Sequence, residues 1–213
     1  MLAWEAIFLG AAYLRGVKDM ASFTAVLIGG VFLGAFVPIF LAGAGINTQA
    51  SFQPAKGLHG SMLFTLSMPV SRLRLLAVRA GIGWLEMAAA IATWCCAVWF
   101  LFPILRTTAS APEVFEHAGT TLVCTSCLYA ASLLLSTFLD DLWSIYGSVI
   151  VFVMFWWFLN QDAVPPSLNI FRAMGESSPL IAHTIPWTAM GFSLALAAAL
   201  FGATVKVVRA REY

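Results

Sequence analysis

An all-α integral membrane protein, a six-helix transmembrane bundle, is predicted from three observations. Of the 213 residues 61% are hydrophobic and only 10% charged, whereas an ordinary soluble domain carries about 25% charged residues. The polar side chains are too few to coat a soluble fold of this length, and the mean hydropathy of +0.90 agrees. The charges are also segregated. Residues 20–55, 87–105, 118–139, 142–161 and 177–205 contain no Asp, Glu, Lys or Arg, and a helix needs roughly 20 apolar residues to cross a bilayer. These runs are continuous, whereas barrel strands alternate. Such composition excludes a disordered chain, and a net charge of +1 offers no footprint for nucleic acid.

The whole chain, 1–213, reads as a single transmembrane domain. Its first element, 1–14 (MLAWEAIFLGAAYL), is apolar but reaches only about 21 Å at 1.5 Å per residue, so a short or truncated first span is expected. No Lys or Arg precedes the apolar stretch, which argues against a signal peptide. The second span, 22–45, contains Gly30 and Gly34 in a GxxxG spacing that lets helices approach closely, and Pro38, which should kink it. Residues 46–77 form the long connection. In 58–68, Leu58, Met62, Leu63 and Leu66 recur at helical spacing, which predicts a short amphipathic helix stopped by Pro69. Spans follow at 78–102, 118–139, 143–160 and 186–208, the middle two joined by a tight turn at 140–142. Residues 103–117 and 161–185 are short loops, and the scattered apolar residues of the second predict that it lies along the membrane interface.

Basic residues in the short loops orient the bundle. With 46–77 and the C-terminus inside, the cytoplasmic side holds Lys56, Arg72, Arg74, Arg79, Lys206, Arg209 and Arg211, seven in all. The other side holds four, Arg15, Lys18, Arg106 and Arg172. Both termini are then cytoplasmic.

Few residues point to chemistry. Cys95 and Cys96 are adjacent, and Cys124 and Cys127 form a CxxC. That spacing can mark a redox pair or half a metal site, but both pairs fall inside spans, where cysteine is also a good small packing residue. A membrane redox enzyme using these thiols is therefore the rival reading, and a non-catalytic assembly subunit a second. His59, His117 and His183 are isolated from one another, so no metal site is expected. There is no Walker phosphate loop, nucleophile elbow or HExxH. Glu86 lies inside a span, where a carboxylate is costly unless paired, hydrated or protonated. Arg79, seven residues earlier, falls on nearly the same helix face. Glu86 either lines a pathway with Arg79 or reaches the interface or a neighbouring hydroxyl.

The segment from Gly60 through Met62, Leu63, Leu66, Pro69 and Ser71 to Arg72, followed by Arg74 and Arg79, resembles the cytoplasmic connection of permease subunits in type-2 ATP-binding cassette (ABC) exporters. In that family a glycine, a short amphipathic helix and a proline–hydroxyl–arginine turn lead into the next span. The basic tail Lys206–Tyr213 resembles the family's ending as well. Two features depart from the pattern: the sequence begins too late to include the family's amphipathic elbow helix, and Gln53 and Lys56 stand where acidic residues are usual.

The resemblance implies that 46–77 holds a cytoplasmic coupling helix contacting a separate ABC ATPase, with Gly60, Met62, Leu63, Leu66, Pro69, Ser71 and Arg72 as its coupling residues. It further implies a second permease copy, identical or not, and residence in a bacterial inner membrane. ATP and magnesium would bind the partner ATPase, with no cofactor and no covalent chemistry in this chain. Substrate and direction of transport are not legible.

Overall fold

The computed structural model describes residues 72–101, 106, 109–139 and 141–210. The spans expected at 1–14 and 22–45, with Gly30, Gly34 and Pro38, lie outside the described residues, as do residues 46–71 of the connection. Among the described residues the chain is all helix, with no strand. The helices are α1 (Arg72–Leu101), α2 (Ala111–Ser136), α3 (Asp141–Leu159), α4 (Ile170–Met174), α5 (Pro179–Ala182) and α6 (Trp187–Ala210), with a 3-10 turn at Pro166–Leu168. Within α1, α2 and α6 are three helices long and apolar enough to cross a membrane, and the apolar stretch Tyr146–Leu159 of α3 is shorter. This is a helical membrane protein.

Two helices reach beyond the charge-free windows, for local reasons. α1 is already helical at Arg72, ahead of residue 78, and Arg72-Leu-Arg-Leu-Leu-Ala is a run of strong helix formers. Residues 72–77, expected in the connection, are the first turns of the membrane helix itself. α2 begins at Ala111 instead of residue 118. Pro112 suits a first turn, and the Glu113 carboxylate accepts hydrogen bonds from the Ser110 amide (2.6 Å) and hydroxyl (2.9 Å). Acidic side chains favour a helix N-terminus, so the charges that closed the window are the ones that start the helix.

α2 is the central helix. Of its most apolar stretch 61% is buried, against 28% for α1 and 17% for α6. α1 runs antiparallel to it: Tyr129 donates its hydroxyl hydrogen to the Ala80 carbonyl (3.1 Å) and Trp84 Nε1 donates to Ser126 Oγ (3.1 Å). α6 runs parallel to it, with Thr120 Oγ1 near Met190 Sδ (3.9 Å) and Ser193 Oγ donating to the carbonyls of Val123 (2.8 Å) and Cys124 (3.0 Å). α3 turns back through residues 137–139 and packs on α2. One apolar cluster lies between α1 and α2 around Leu76, Met87, Ile91, Val98 and Leu133. The other joins α2 to α3, α4 and α6 through Leu128, Phe152, Ile170 and Met174.

The segment 160–186, whose scattered apolar residues suggest an interfacial position, has a fold of its own. It folds into the 3-10 turn, α4 and α5, and buries Ile170, Ala173, Met174, Pro179 and Leu180 against the ends of α2 and α6. Asn169 holds this cap in place. Its Nδ2 donates to the Leu159 carbonyl (2.9 Å), the end of α3, and its Oδ1 accepts from the amides of Phe171 (3.0 Å) and Arg172 (3.2 Å), the start of α4. One buried side chain thus ends one helix and begins the next. We call this the capped end of the bundle. The outward surface is apolar, with Trp143 and Tyr146 exposed near one end of α3, and Trp156, Trp157 and Trp187 near the other. Aromatic side chains so placed sit at the two membrane–water boundaries.

At Gly83, α1 and α2 approach closely. A Cβ there would overlap the Tyr129 hydroxyl and come within 3.2 Å of its Cζ. Gly83→Ala gains about 0.5–1 kcal/mol of helix preference, but it must displace a buried ring and break the Tyr129–Ala80 bond, at about 1–3 kcal/mol. Net destabilisation is expected in detergent unfolding. The same change in a Tyr129→Phe background should be neutral or stabilising, and equal losses in both backgrounds would refute the contact.

Candidate functional site

The functional surface begins with the periodicity of α2. His117, Thr121, Thr125, Tyr129, Ser132 and Ser136 recur at intervals of four or three residues, which places them on one helix face. Every one is buried. From His117 to Ser136 the stripe extends about 28 Å at 1.5 Å per residue, the thickness of a bilayer core. A polar stripe therefore crosses the protein from end to end, inside the bundle.

Much of the stripe is satisfied within α2. Thr125 Oγ1 donates to the Thr121 carbonyl (2.7 Å), and Ser136 Oγ to the Leu133 carbonyl (2.8 Å). Beside the stripe, Ser126 Oγ donates to the Leu122 carbonyl (2.8 Å) while accepting from Trp84. Bonds of this kind let a small hydroxyl sit against a neighbouring helix without an orphaned hydrogen. Tyr129 and Ser193 instead bond across helices, and so fix α1 and α6 to α2.

At the capped end a second polar contact ties α5 to the start of α2. His183 Nδ1 lies 2.7 Å from Glu113 Oε1, and since a carboxylate only accepts, the imidazole nitrogen carries the proton. His183 holds a left-handed backbone (φ 52°) just after α5. A residue with a Cβ adopts that conformation at a cost of about 1–3 kcal/mol, which the side-chain contact helps to offset. Arg172 and Glu176 form an exposed ion pair nearby (3.5 Å), worth little at a wet surface.

The residues singled out by sequence are not gathered into one place. Gly60, Met62, Leu63, Leu66, Pro69 and Ser71 lie outside the described residues, and Arg72 opens α1. Arg79 is half-buried, and Glu86 is exposed on the side of α1 that also presents Ile82 and Leu85. All four cysteines are free thiols; Cys95, Cys124 and Cys127 are buried and Cys96 is half-buried. Cys127 Sγ bonds back to the Cys124 carbonyl (3.3 Å), and both thiols pack in the cluster with Leu128 and Phe152. Among the described residues no group of three His, Cys, Asp or Glu could hold a metal.

Sequence reasoning passed over the stripe and the cap. The stripe was readable in the spacing of its hydroxyls, which a search for charges and cysteines does not see. Ser110, Pro112 and Glu113 spelled a helix start. Asn169 had no signal, because its partners lie on two helices.

Comparison of the chain with known protein families, with characterised proteins and with solved structures finds no match.

The thiol packing makes a direct prediction. In folded protein in mild detergent, brief exposure to a maleimide should modify Cys96 first and leave Cys124 and Cys127 untouched, whereas denatured chain should take up four adducts. Replacing Cys124 or Cys127 by Ala should cost of order 1 kcal/mol. Rapid native modification of either, read by peptide mass, would contradict a packing role.

Proposed function

We propose that this chain is the membrane-spanning permease subunit of an ATP-driven exporter, a six-helix bundle working beside a second permease copy and a separate ABC ATPase. The observation that carries the proposal is the continuity of α1. The exporter-like segment from Gly60 reaches Arg72, and from that residue on α1 is unbroken helix to Leu101. A helix of this length spans about 45 Å. A push reaching Arg72 when the ATPase closes on ATP would be delivered to a rigid rod. The rod is fastened to the central helix by Tyr129–Ala80 and Trp84–Ser126, so α1 and α2 move together.

In this reading 46–71 lies in the cytoplasm with both termini, as the seven-to-four distribution of basic residues favours, in a bacterial inner membrane. ATP and magnesium are held by the ATPase, and this chain supplies the path. Glu86, exposed on the outward side of α1, fits the wall of a path between two permease copies better than the interior of one. The buried placement of Cys95, Cys124 and Cys127 gives a redox reaction poor access to the thiols and so favours transport.

The coupling segment supplies the decisive experiment. If Leu63 and Leu66 enter a groove on the ATPase, each contributes about 1.5–3 kcal/mol of apolar burial. Leu63→Asp with Leu66→Asp removes that contribution and places carboxylates against the groove. The inserted double variant should fail to copurify the ATPase and should lose stimulated ATP hydrolysis. Retention of both activities would remove the main support for the reading.

Glu86→Gln tests the path. The change keeps shape and hydrogen bonding while removing charge, so assembly and the unfolding midpoint should be unaltered while substrate preference or transport rate shifts. Unchanged transport with any substrate carried would make Glu86 a structural residue.

A further inference from the structure

At the Arg72 end of the bundle the first turns of α1 and the last turns of α6 come together. Residues 72–80 and 200–210 carry five cations, Arg72, Arg74, Arg79, Lys206 and Arg209, and no carboxylate. α1 and α6 touch. α6 enters the apolar cluster around α1 through Val205 and Val208, while its Met190, Leu196 and Ala197 pack in the other cluster. The bonds to α2 set the levels. Ala80 stands level with Tyr129 and Trp84 with Ser126; Met190 stands level with Thr120 and Ser193 with Val123. Counting along the helices from these pairs brings Arg74 level with Val205, Ala77 with Gly202 and Gly81 with Ala198. Arg74, Ala77, Gly81 and Trp84 share one face of α1 by their helical spacing. Trp84 reaches Ser126, one turn of α2 from Val123, whose carbonyl accepts from Ser193 of α6, so this face borders α6. Ala198, Gly202, Val205 and Arg209 share a face of α6 in the same way, and the packing of Val205 turns it toward α1. Arg74, Ala77, Gly81, Ala198, Gly202 and Arg209 are all exposed. A Cβ at Gly81 or Gly202 would meet nothing within 4 Å. The two faces border an open groove of small residues, with one arginine from each helix at its mouth.

We propose that this groove between α1 and α6 binds one anionic phospholipid, with its phosphate between Arg74 and Arg209 and an acyl chain along Ala77, Gly81, Ala198 and Gly202. The apolar stretch of α1 begins at Leu76, so Arg74 stands at the membrane boundary and the small residues lie in the hydrocarbon. Arg209 is about 6 Å further along the bundle than Arg74, on a neighbouring helix whose axis passes roughly 8–10 Å away. Two long arginine side chains so placed can converge on one phosphate, which each guanidinium matches with paired donors. The charge selects an anionic lipid, because a choline or ethanolamine headgroup would bring a cation back to a cationic site. Asp141 opens α3, and Glu212 follows Arg211 in the tail, so neither belongs to the two helix faces that line the groove. Other occupants fit less well. A second copy of this face would set two more arginines against the first two, a like-charge contact. The span expected at 22–45 contains no Asp or Glu to answer the arginines. A phospholipid supplies both the anion and the apolar chain, and the small residues let that chain lie close to the backbone. Transport plays no part in the inference, which needs only the membrane.

The full chain in mild detergent, mixed with equal amounts of dioleoylphosphatidylglycerol and dioleoylphosphatidylcholine, is measured by native mass spectrometry, which counts the lipid retained. One phosphatidylglycerol should stay bound per chain, favoured about 30-fold, the equivalent of ~1 kcal/mol for each of two arginines at an anionic surface. Arg74→Gln with Arg209→Gln should remove the preference. Lys206→Gln takes away a cation on the side of α6 opposite the buried Thr204, and should leave the preference intact. Gly202→Leu keeps every charge and fills the groove at an exposed position, so it should release the lipid without lowering the unfolding midpoint of the lipid-free chain. Added inorganic phosphate should not displace the lipid, because it has no acyl chain to place. A parent chain that retains no lipid, because its own span 22–45 or a second copy fills the groove, would overturn the site. So would a Lys206→Gln loss equal to that of the arginine pair, undiminished retention by Gly202→Leu, or displacement by inorganic phosphate.

Discussion

A helix with six polar side chains on one face cannot turn that face to lipid. This constraint places α2. In hydrocarbon an unpaired hydroxyl or ring nitrogen costs several kcal/mol, roughly 2–7 by transfer measurements, and lipid offers no hydrogen bond in exchange. Thr125 and Ser136 answer their hydrogens within α2, whereas His117, Thr121 and Tyr129 gain from lying inside the protein, where the remaining helices cover the stripe. α1 and α6 do so in opposite directions, and α3 and the cap close what is left. The burial of α2 is thus a consequence of its hydroxyls and not of greater hydrophobicity; α6 and α1 are just as apolar and stay peripheral.

The same accounting explains the polar contacts between helices. Each cross-helix hydrogen bond in a membrane is worth only about 0.6 kcal/mol on average, so Tyr129–Ala80, Trp84–Ser126 and Ser193–Val123 do not hold the bundle together by strength. They fix register. Gly83 permits the Tyr129 hydroxyl to reach the backbone of α1, and a shift of α1 by one residue would put a Cβ in that place. Packing supplies the adhesion, and the hydroxyls select one arrangement from several that would bury similar area. At the capped end Asn169 performs a comparable task for backbone groups, because the end of α3 and the beginning of α4 each leave groups without a partner inside their own helix.

Legibility in the sequence followed the physics of each signal. Hydrophobicity and charge-free length are properties of single segments, so the helical membrane class was readable, and among the described residues three helices are long and apolar enough to cross a membrane. The helices extend past the charge-free windows, since Glu113 belongs to the first turn of α2 and Arg72 and Arg74 are already helical in α1. The fold of 160–186 was not readable, because whether Ile170 and Met174 enter a core or rest on a membrane depends on a neighbour that no local pattern names. The polar stripe was present as a period but is easily mistaken for ordinary small-residue packing. The pairings of Tyr129 with Ala80, Ser126 with Trp84 and Ser193 with Val123 distinguish hydroxyls that face a partner helix.

The two ends of the α1–α2 pair differ in a way that bears on movement. Toward the Arg72 end the helices meet through a glycine and a buried ring, a fit in which small displacement means steric overlap. Toward the capped end, Trp99 Nε1, His117 Nδ1 and Thr121 Oγ1 are buried without a hydrogen-bond partner in the protein. Close-packed contacts resist relative motion because a sub-ångström shift forfeits dispersion and creates clashes. If the exporter proposal holds, a push arriving at Arg72 meets the close-packed half of the pair first, and the fit of Gly83 against Tyr129 carries α2 along with α1.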